Sequence, residues 1–151
     1  MRFKKLALFL MAFAAGNVLA MDAEQAEKAY EVRHSLFTLV GWNIGPLAGM
    51  AKEQIPFDAE KAELHASRIA SLVPMIPHAF AADTRGFDLD TEAKDRIWAE
   101  KEQFLELAAA IRDKSAALEK AAASGDKKKF TAAFVEMGQA CKDCHDRYRE
   151  D

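Results

Sequence analysis

At 151 residues, half of them hydrophobic, 30% charged and 9% aromatic, the chain has room for one domain around a single core. Its apolar fraction excludes intrinsic disorder, and 7 Gly with 4 Pro exclude a collagenous or low-complexity chain. Two cysteines are too few for a disulfide-stapled fold, and a formal net charge of −3 offers no basic surface for nucleic acid or anionic lipid.

The chain begins with a basic stretch, Arg2, Lys4 and Lys5, followed by an apolar run over residues 6–15. Gly16-Asn17 breaks the run and Val18-Leu19-Ala20 closes it. This is the layout of a secretory signal peptide, residues 1–20, with cleavage after Ala20. The run is far shorter than the ~20 apolar residues that span a bilayer. Removing residues 1–20 takes away three cations and no acid. The remaining domain, residues 21–151, then carries 18 basic against 24 acidic side chains, a charge of −6. We read an acidic exported domain with no membrane span, periplasmic in a Gram-negative source.

Helical periodicity dominates the exported part, and period-2 alternation is nearly absent. The first predicted helix, residues 23–52, places Ala26, Tyr30, Arg33, Phe37, Val40, Ile44, Leu47 and Ala51 on one face, with a kink at Pro46. Asp58 caps a second helix, 59–73, with Ala62, Ala66, Ile69 and Val73 inward. Pro74 and Pro77 end it, and a long crossover runs over 74–90. Asp90 or Thr91 caps a third helix in which Ile97, Phe104, Ile111 and Leu118 recur every seven residues. Gly125 terminates that helix. Asp126 caps the fourth, 127–149, whose stripe is Phe130, Phe134, Met137, Cys141, Cys144 and Tyr148. Four amphipathic helices with two short turns and one crossover predict an all-α, antiparallel up-down-up-down four-helix bundle.

The stripe of the last helix carries the chemistry. Cys141-Lys-Asp-Cys144-His145 reads C-x-x-C-H, the attachment signature of a c-type haem. Positions i, i+3 and i+4 share one helical face, so two thiols and an imidazole point together. The thiols suit thioether bonds to the two haem vinyl groups, and His145 suits the axial iron position. A thioredoxin-like C-x-x-C belongs beside a βαβ unit, which is missing. A structural zinc site needs four ligands, and His34, His65 and His78 lack the spacing for it.

Signal, bundle and a C-terminal C-x-x-C-H together resemble the cytochrome c′ family of class II c-type cytochromes. The likeness extends to residues 32–39 of helix one, the Ile55-Pro56-Phe57-Asp58 turn, Gly125-Asp126, and residues 141–149. The resemblance implies one covalent haem c per chain, near the C-terminal helix. Low-spin relatives take a sixth ligand, Met, nineteen residues before the proline of this turn. Here that position is Phe37, so the resemblance points to the five-coordinate, high-spin branch with His145 the sole protein ligand. It also sets Arg33 by the haem propionates, Arg149 beside the proximal histidine, and Phe80 and Tyr148 around the haem. His34 and His78 are competing ligands, His78 the stronger of the two. Met50 and Met75 stand at positions unlike the family's ligands.

The expected function is electron transfer with redox partner proteins, without enzymatic activity, since no distal acid–base pair is evident. The alternative is a gas-trapping or sensing protein for NO or CO. An apolar pocket under Phe37 offers O₂ no hydrogen bond, whereas NO and CO need none. The resemblance also implies a homodimer through helices one and two, for which Leu39, Leu64 and Leu72 would supply apolar contact.

Overall fold

A capping box opens the first helix. The Asp22 carboxylate accepts from the Gln25 amide at 2.8 Å, and the Gln25 side chain accepts from the Asp22 amide at 3.1 Å. From there the computed structural model describes residues 21–150; the predicted signal peptide lies outside the described residues. Helix α1 spans Ala23–Ala51 and continues through Pro46. Its buried side chains are Ala26, Arg33, Leu36, Val40, Asn43, Leu47 and Met50. The buried face is thus rotated from the predicted one: Leu36, Asn43 and Met50 face in, whereas Phe37 is 38% exposed. Asn43 can face in because its polar ends are satisfied. Its amide donates to the Leu39 carbonyl at 2.8 Å, and its oxygen lies 2.9 Å from His65 Nδ1.

Asp58 caps α2, Ala59–Leu72, by accepting from the Lys61 amide at 3.1 Å. Ala62, Ala66, Ile69 and Val73 are all buried, as their spacing requires. As expected, α2 ends just before the prolines, but the path beyond them stays helical. Pro74 opens a 3-10 turn, Val73–Met75, and Pro77 opens the one-turn helix α3, Ile76–Ala79. Proline is at home in a first turn, where its missing N–H would have no partner anyway.

The third predicted helix needs a larger correction. Asp90 and Thr91 cap nothing; the crossover continues to Asp95. A single turn, α4, Arg96–Ala99, precedes α5, Lys101–Ala123. Between them Glu100 leaves helical geometry, at φ −118° and ψ 45°. Phe104, Ile111 and Leu118 of α5 are buried as spaced, with Ile97 buried one element earlier. Gly125, at φ +67°, makes the left-handed turn that ends this stretch, and Asp126 accepts from the Lys128 and Lys129 amides to start α6, Lys127–Tyr148.

In the core, α1 packs on α2 and α6, and α5 packs on the same two, so the four long helices close a ring. This is the antiparallel four-helix bundle. Phe130 is fully buried between Phe57 and Phe134, at ring-centroid distances of 5.3 and 6.2 Å. No helix among the described residues is long and apolar enough to cross a membrane.

Candidate haem-attachment site

Helix α6 carries the C-x-x-C-H run into the bundle. Phe130, Met137, Cys144 and Tyr148 are buried, and Phe134 and Cys141 are half-buried against the same core. At 3.6 residues per turn, Cys141, Cys144 and His145 share this side of the helix. Both cysteines are free thiols. Burial pushes the Cys141 thiol up, and burial with the neighbouring Cys141 pushes Cys144 up to about 11. A redox C-x-x-C carries a thiol lowered below its usual range, which this pair does not show. Among the described residues no group of three or more His, Cys, Asp or Glu is placed to hold a metal ion.

The His145 ring is half-buried, and its pKa is lowered, first by burial and then by the Arg149 guanidinium; Asp146 and Glu92 oppose this more weakly. The neutral imidazole this favours is the form that coordinates iron. Two protonated thiols and one neutral imidazole on one helical face fit haem c: Cys141 and Cys144 would hold it as thioethers, and His145 would bind its iron.

Aromatic side chains line up from α6 towards α1. Tyr148 meets Phe104 edge-on at 5.4 Å, and Phe104 meets Phe80 at 5.0 Å. Phe80 in turn is tilted against Phe37 and Trp98, each at 6.2 Å. Three residues singled out in the sequence, Phe37, Phe80 and Tyr148, therefore belong to one aromatic chain. Phe104 and Trp98 complete it.

Arg33 is 4% exposed. Its Nε donates to the Ala79 carbonyl at 2.9 Å, Nη1 to the Thr84 hydroxyl at 2.9 Å and Nη2 to the Ala82 carbonyl at 3.3 Å. The guanidinium also lies 5.1 Å over both the Phe80 and the Trp98 rings. Here the residue ties α1 to the crossover, with all three nitrogens engaged. Trp98 Nε1 donates to the Ala82 carbonyl at 2.9 Å, and Lys101 Nζ to the Phe80 carbonyl at 2.5 Å. Neither residue stands out in the sequence, because each acts on a backbone carbonyl far away in the chain.

The remaining sequence candidates separate clearly. The Arg149 amide donates to the His145 carbonyl at 2.9 Å. Its exposed side chain lies 3.7 Å from Glu92. His34 is exposed and stacked on Tyr30, with ring centroids 6.0 Å apart. His78 is exposed at a shallow groove of about 340 Å³ shared with Lys28 and Val32. Met50 sulfur accepts from the Asp58 amide at 3.4 Å, and Met75 faces solvent. Leu39 and Leu64 are exposed, but Leu72 is half-buried against the core, so the predicted apolar trio is reduced to two; Trp42, 75% exposed, stands on α1 three residues after Leu39.

Residues 28–149 match the family model described as Cytochrome C'. Cytochrome c' of Cereibacter sphaeroides is 39% identical over 142 residues, 93% of each chain. Cytochrome c-554 of the same organism is 37% identical over 134 residues, 87% of each. Among solved structures, cytochrome c prime from Shewanella frigidimarina superposes with a TM-score of 0.79 at 35% identity, over 86% of this chain and all of that one. A nitric oxide complex of a leucine-to-isoleucine variant of cytochrome c prime from Alcaligenes xylosoxidans gives 0.76 at 31% identity, over 83% and 97%. With its bundle, its free C-x-x-C thiols and these relatives, the chain belongs to the cytochrome c′ family, whose members carry covalent haem c and are not enzymes.

Proposed function

We propose that this protein uses His145 as the only protein ligand to its haem iron and binds nitric oxide, and with it carbon monoxide, on the opposite side. Phe37 carries this reading. It stands where low-spin relatives supply a methionine, and a phenyl ring has no lone pair to coordinate iron. When bound, haem c supplies a ferric–ferrous couple and an iron open to a neutral diatomic. Phe37 and Phe80 bring rings and no hydrogen-bond donor from their side chains, which withholds stabilisation from O₂ but costs NO and CO nothing. His34 is stacked on Tyr30 and His78 lies at an exposed groove, which supports leaving His145 as the protein ligand. Two variants of the Alcaligenes xylosoxidans relative have been solved as nitric oxide complexes, which supports the same chemistry here.

Electron transfer is the second reading, favoured by the half-exposed setting of Cys141, which leaves an edge of the attachment face open to a docking redox protein. The work is done in the periplasm, after cleavage behind Ala20. We further propose a homodimer seated on α1 and α2, where Leu39, Leu64 and Trp42 are exposed beside a groove of about 340 Å³. Light scattering of the mature protein tests that assembly.

The visible and EPR spectra of the ferric protein test the iron environment. High-spin iron and tight NO binding are expected. A low-spin spectrum with a methionine–iron charge-transfer band, or a bis-histidine spectrum, refutes the open position. A five-coordinate protein indifferent to NO, yet quickly reduced by redox proteins, leaves the carrier alone.

A further inference from the structure

The break in the helix at Glu100 faces the segment that carries His145. The Glu100 Oε2 accepts from Arg147 Nε at 2.9 Å, from Arg147 Nη2 at 2.6 Å and from the Tyr148 hydroxyl at 3.4 Å. Its Oε1 accepts from Arg96 Nε at 2.6 Å. One carboxylate therefore meets two guanidiniums and a phenol, and both ends of its chief contact, at 26% and 39% side-chain exposure, are partly withdrawn from water. Isolated surface ion pairs contribute little, but here both Arg147 donors converge on one oxygen of a carboxylate whose other oxygen is held by Arg96, and such a charged network holds its geometry better than a lone pair.

The backbone reinforces the contact. The Lys94 amide donates to the Tyr148 carbonyl at 3.0 Å, and the Glu150 amide to the Glu92 carbonyl at 2.8 Å. Ala93 and Arg149 form an antiparallel bridge. Every residue from 147 to 150, starting two positions after His145, is thus tied to the stretch 92–100. Within that stretch Glu100 is the one residue whose side chain grips both Arg147 and Tyr148.

We propose that Glu100 is a positioning residue for His145. By fixing Arg147 and Tyr148 it holds the last turn of α6 against the α4–α5 junction, and so fixes the bearing of the imidazole towards the haem iron. The proposal rests on the reading of His145 as the axial ligand.

The test compares haem-loaded mature protein with Glu100→Ala, Glu100→Gln, Arg147→Ala and Arg96→Ala. Two signals are read: amide hydrogen exchange at residues 147–150 and the ferric EPR spectrum. Glu100→Ala is expected to speed exchange there by about tenfold or more and to split the EPR signal into several species. Arg147→Ala should do the same. Arg96→Ala, which touches the same carboxylate but not α6, should leave the EPR signal as it is. Glu100→Gln keeps an acceptor oxygen and should recover most of the wild-type behaviour, and it serves as the informative variant should Glu100→Ala fail to fold. Wild-type exchange and EPR in Glu100→Ala, with or without lower overall stability, would overturn the proposal. So would a Glu100→Gln protein as disordered in this segment as Glu100→Ala. A low-spin wild-type spectrum would instead overturn the open iron position, and exchange at 147–150 would still decide the role of Glu100.

Discussion

Replacing Arg33 by Met removes a buried cation while keeping most of its volume, so little of the cost comes from a cavity. Three hydrogen bonds disappear, to the Ala79 carbonyl, the Thr84 hydroxyl and the Ala82 carbonyl. The Ala82 carbonyl keeps the Trp98 Nε1 donor at 2.9 Å, so two groups are stranded. Each stranded buried group costs about 1–3 kcal/mol. Losing the stacks over Phe80 and Trp98 adds roughly 1 kcal/mol. Against this, removing a buried cation returns part of its desolvation penalty, the effect that lowers the pKa of Arg33. The net expectation is a loss of about 2–5 kcal/mol. With a urea slope of roughly 1–3 kcal/mol per molar, the midpoint should fall by about 1–2 M. Urea unfolding of the mature protein, followed by far-ultraviolet circular dichroism, measures it. Arg33→Lys separates charge from shape. It keeps the cation but not the planar fork that reaches three acceptors, and should recover less than half of the loss. A Met variant within ~0.5 kcal/mol of wild type, the range of an ordinary surface change, would refute the account of Arg33 as the tie between α1 and the crossover.

Phe37→Met places a thioether where low-spin relatives carry theirs, and the ferric EPR spectrum should turn largely low-spin; an unchanged high-spin spectrum would mean that Phe37 does not face the iron. Phe130→Ala deletes a fully buried ring that contacts Phe57 and Phe134, and should cost about 3–5 kcal/mol in the same urea titration. The Glu100 carboxyl is held below its usual range, first by the hydrogen bond from Arg96 and then by Arg147. Its folded pKa lies under its unfolded value, so its contribution is complete above about pH 4.5 and is lost as pH falls through the lowered folded value. Stability measured against pH should therefore separate wild type from Glu100→Gln near neutrality and bring the two together in acid; parallel curves down to acid pH would contradict the charge assignment.

The existence of the four long helices, the caps at Asp58 and Asp126 and the turn at Gly125 are legible in the sequence, because each depends on neighbours three or four positions away, whereas the start of the third helix is not. The C-x-x-C-H motif is legible for the same reason. What pattern reading misplaces is governed by contacts across the chain. Asn43 looks like a surface residue until His65, on another helix, satisfies its oxygen. Phe37 looks like a core residue, and Leu36 beside it is the one that goes in. Pro74 and Pro77 mark the end of α2 correctly, but the 3-10 turn and the short α3 beyond it escape the pattern because packing against α1 and α5, rather than local propensity, holds them.

The supports of the site are harder still to read, and for one physical reason. Arg33 reaches acceptors 46 to 51 residues away, and Glu100 reaches donors 47 and 48 residues away. Nothing in the local pattern around Glu100 distinguishes it from the acidic residues of α5, and a helix continuing through it satisfies every local rule. Only the fold shows the helix broken there, with Lys101 and Trp98 turned to the crossover carbonyls and Glu100 turned to α6. The break thus divides one junction between two duties, holding the Phe80 side of the aromatic chain and holding the turn behind His145. A continuous helix would fix residues 100 and 101 at about 200° and 300° around its axis from residue 98. Non-helical backbone at Glu100 removes that constraint. Straightening the junction with strong helix formers should therefore disturb the turn behind His145 even with Cys141, Cys144 and His145 untouched.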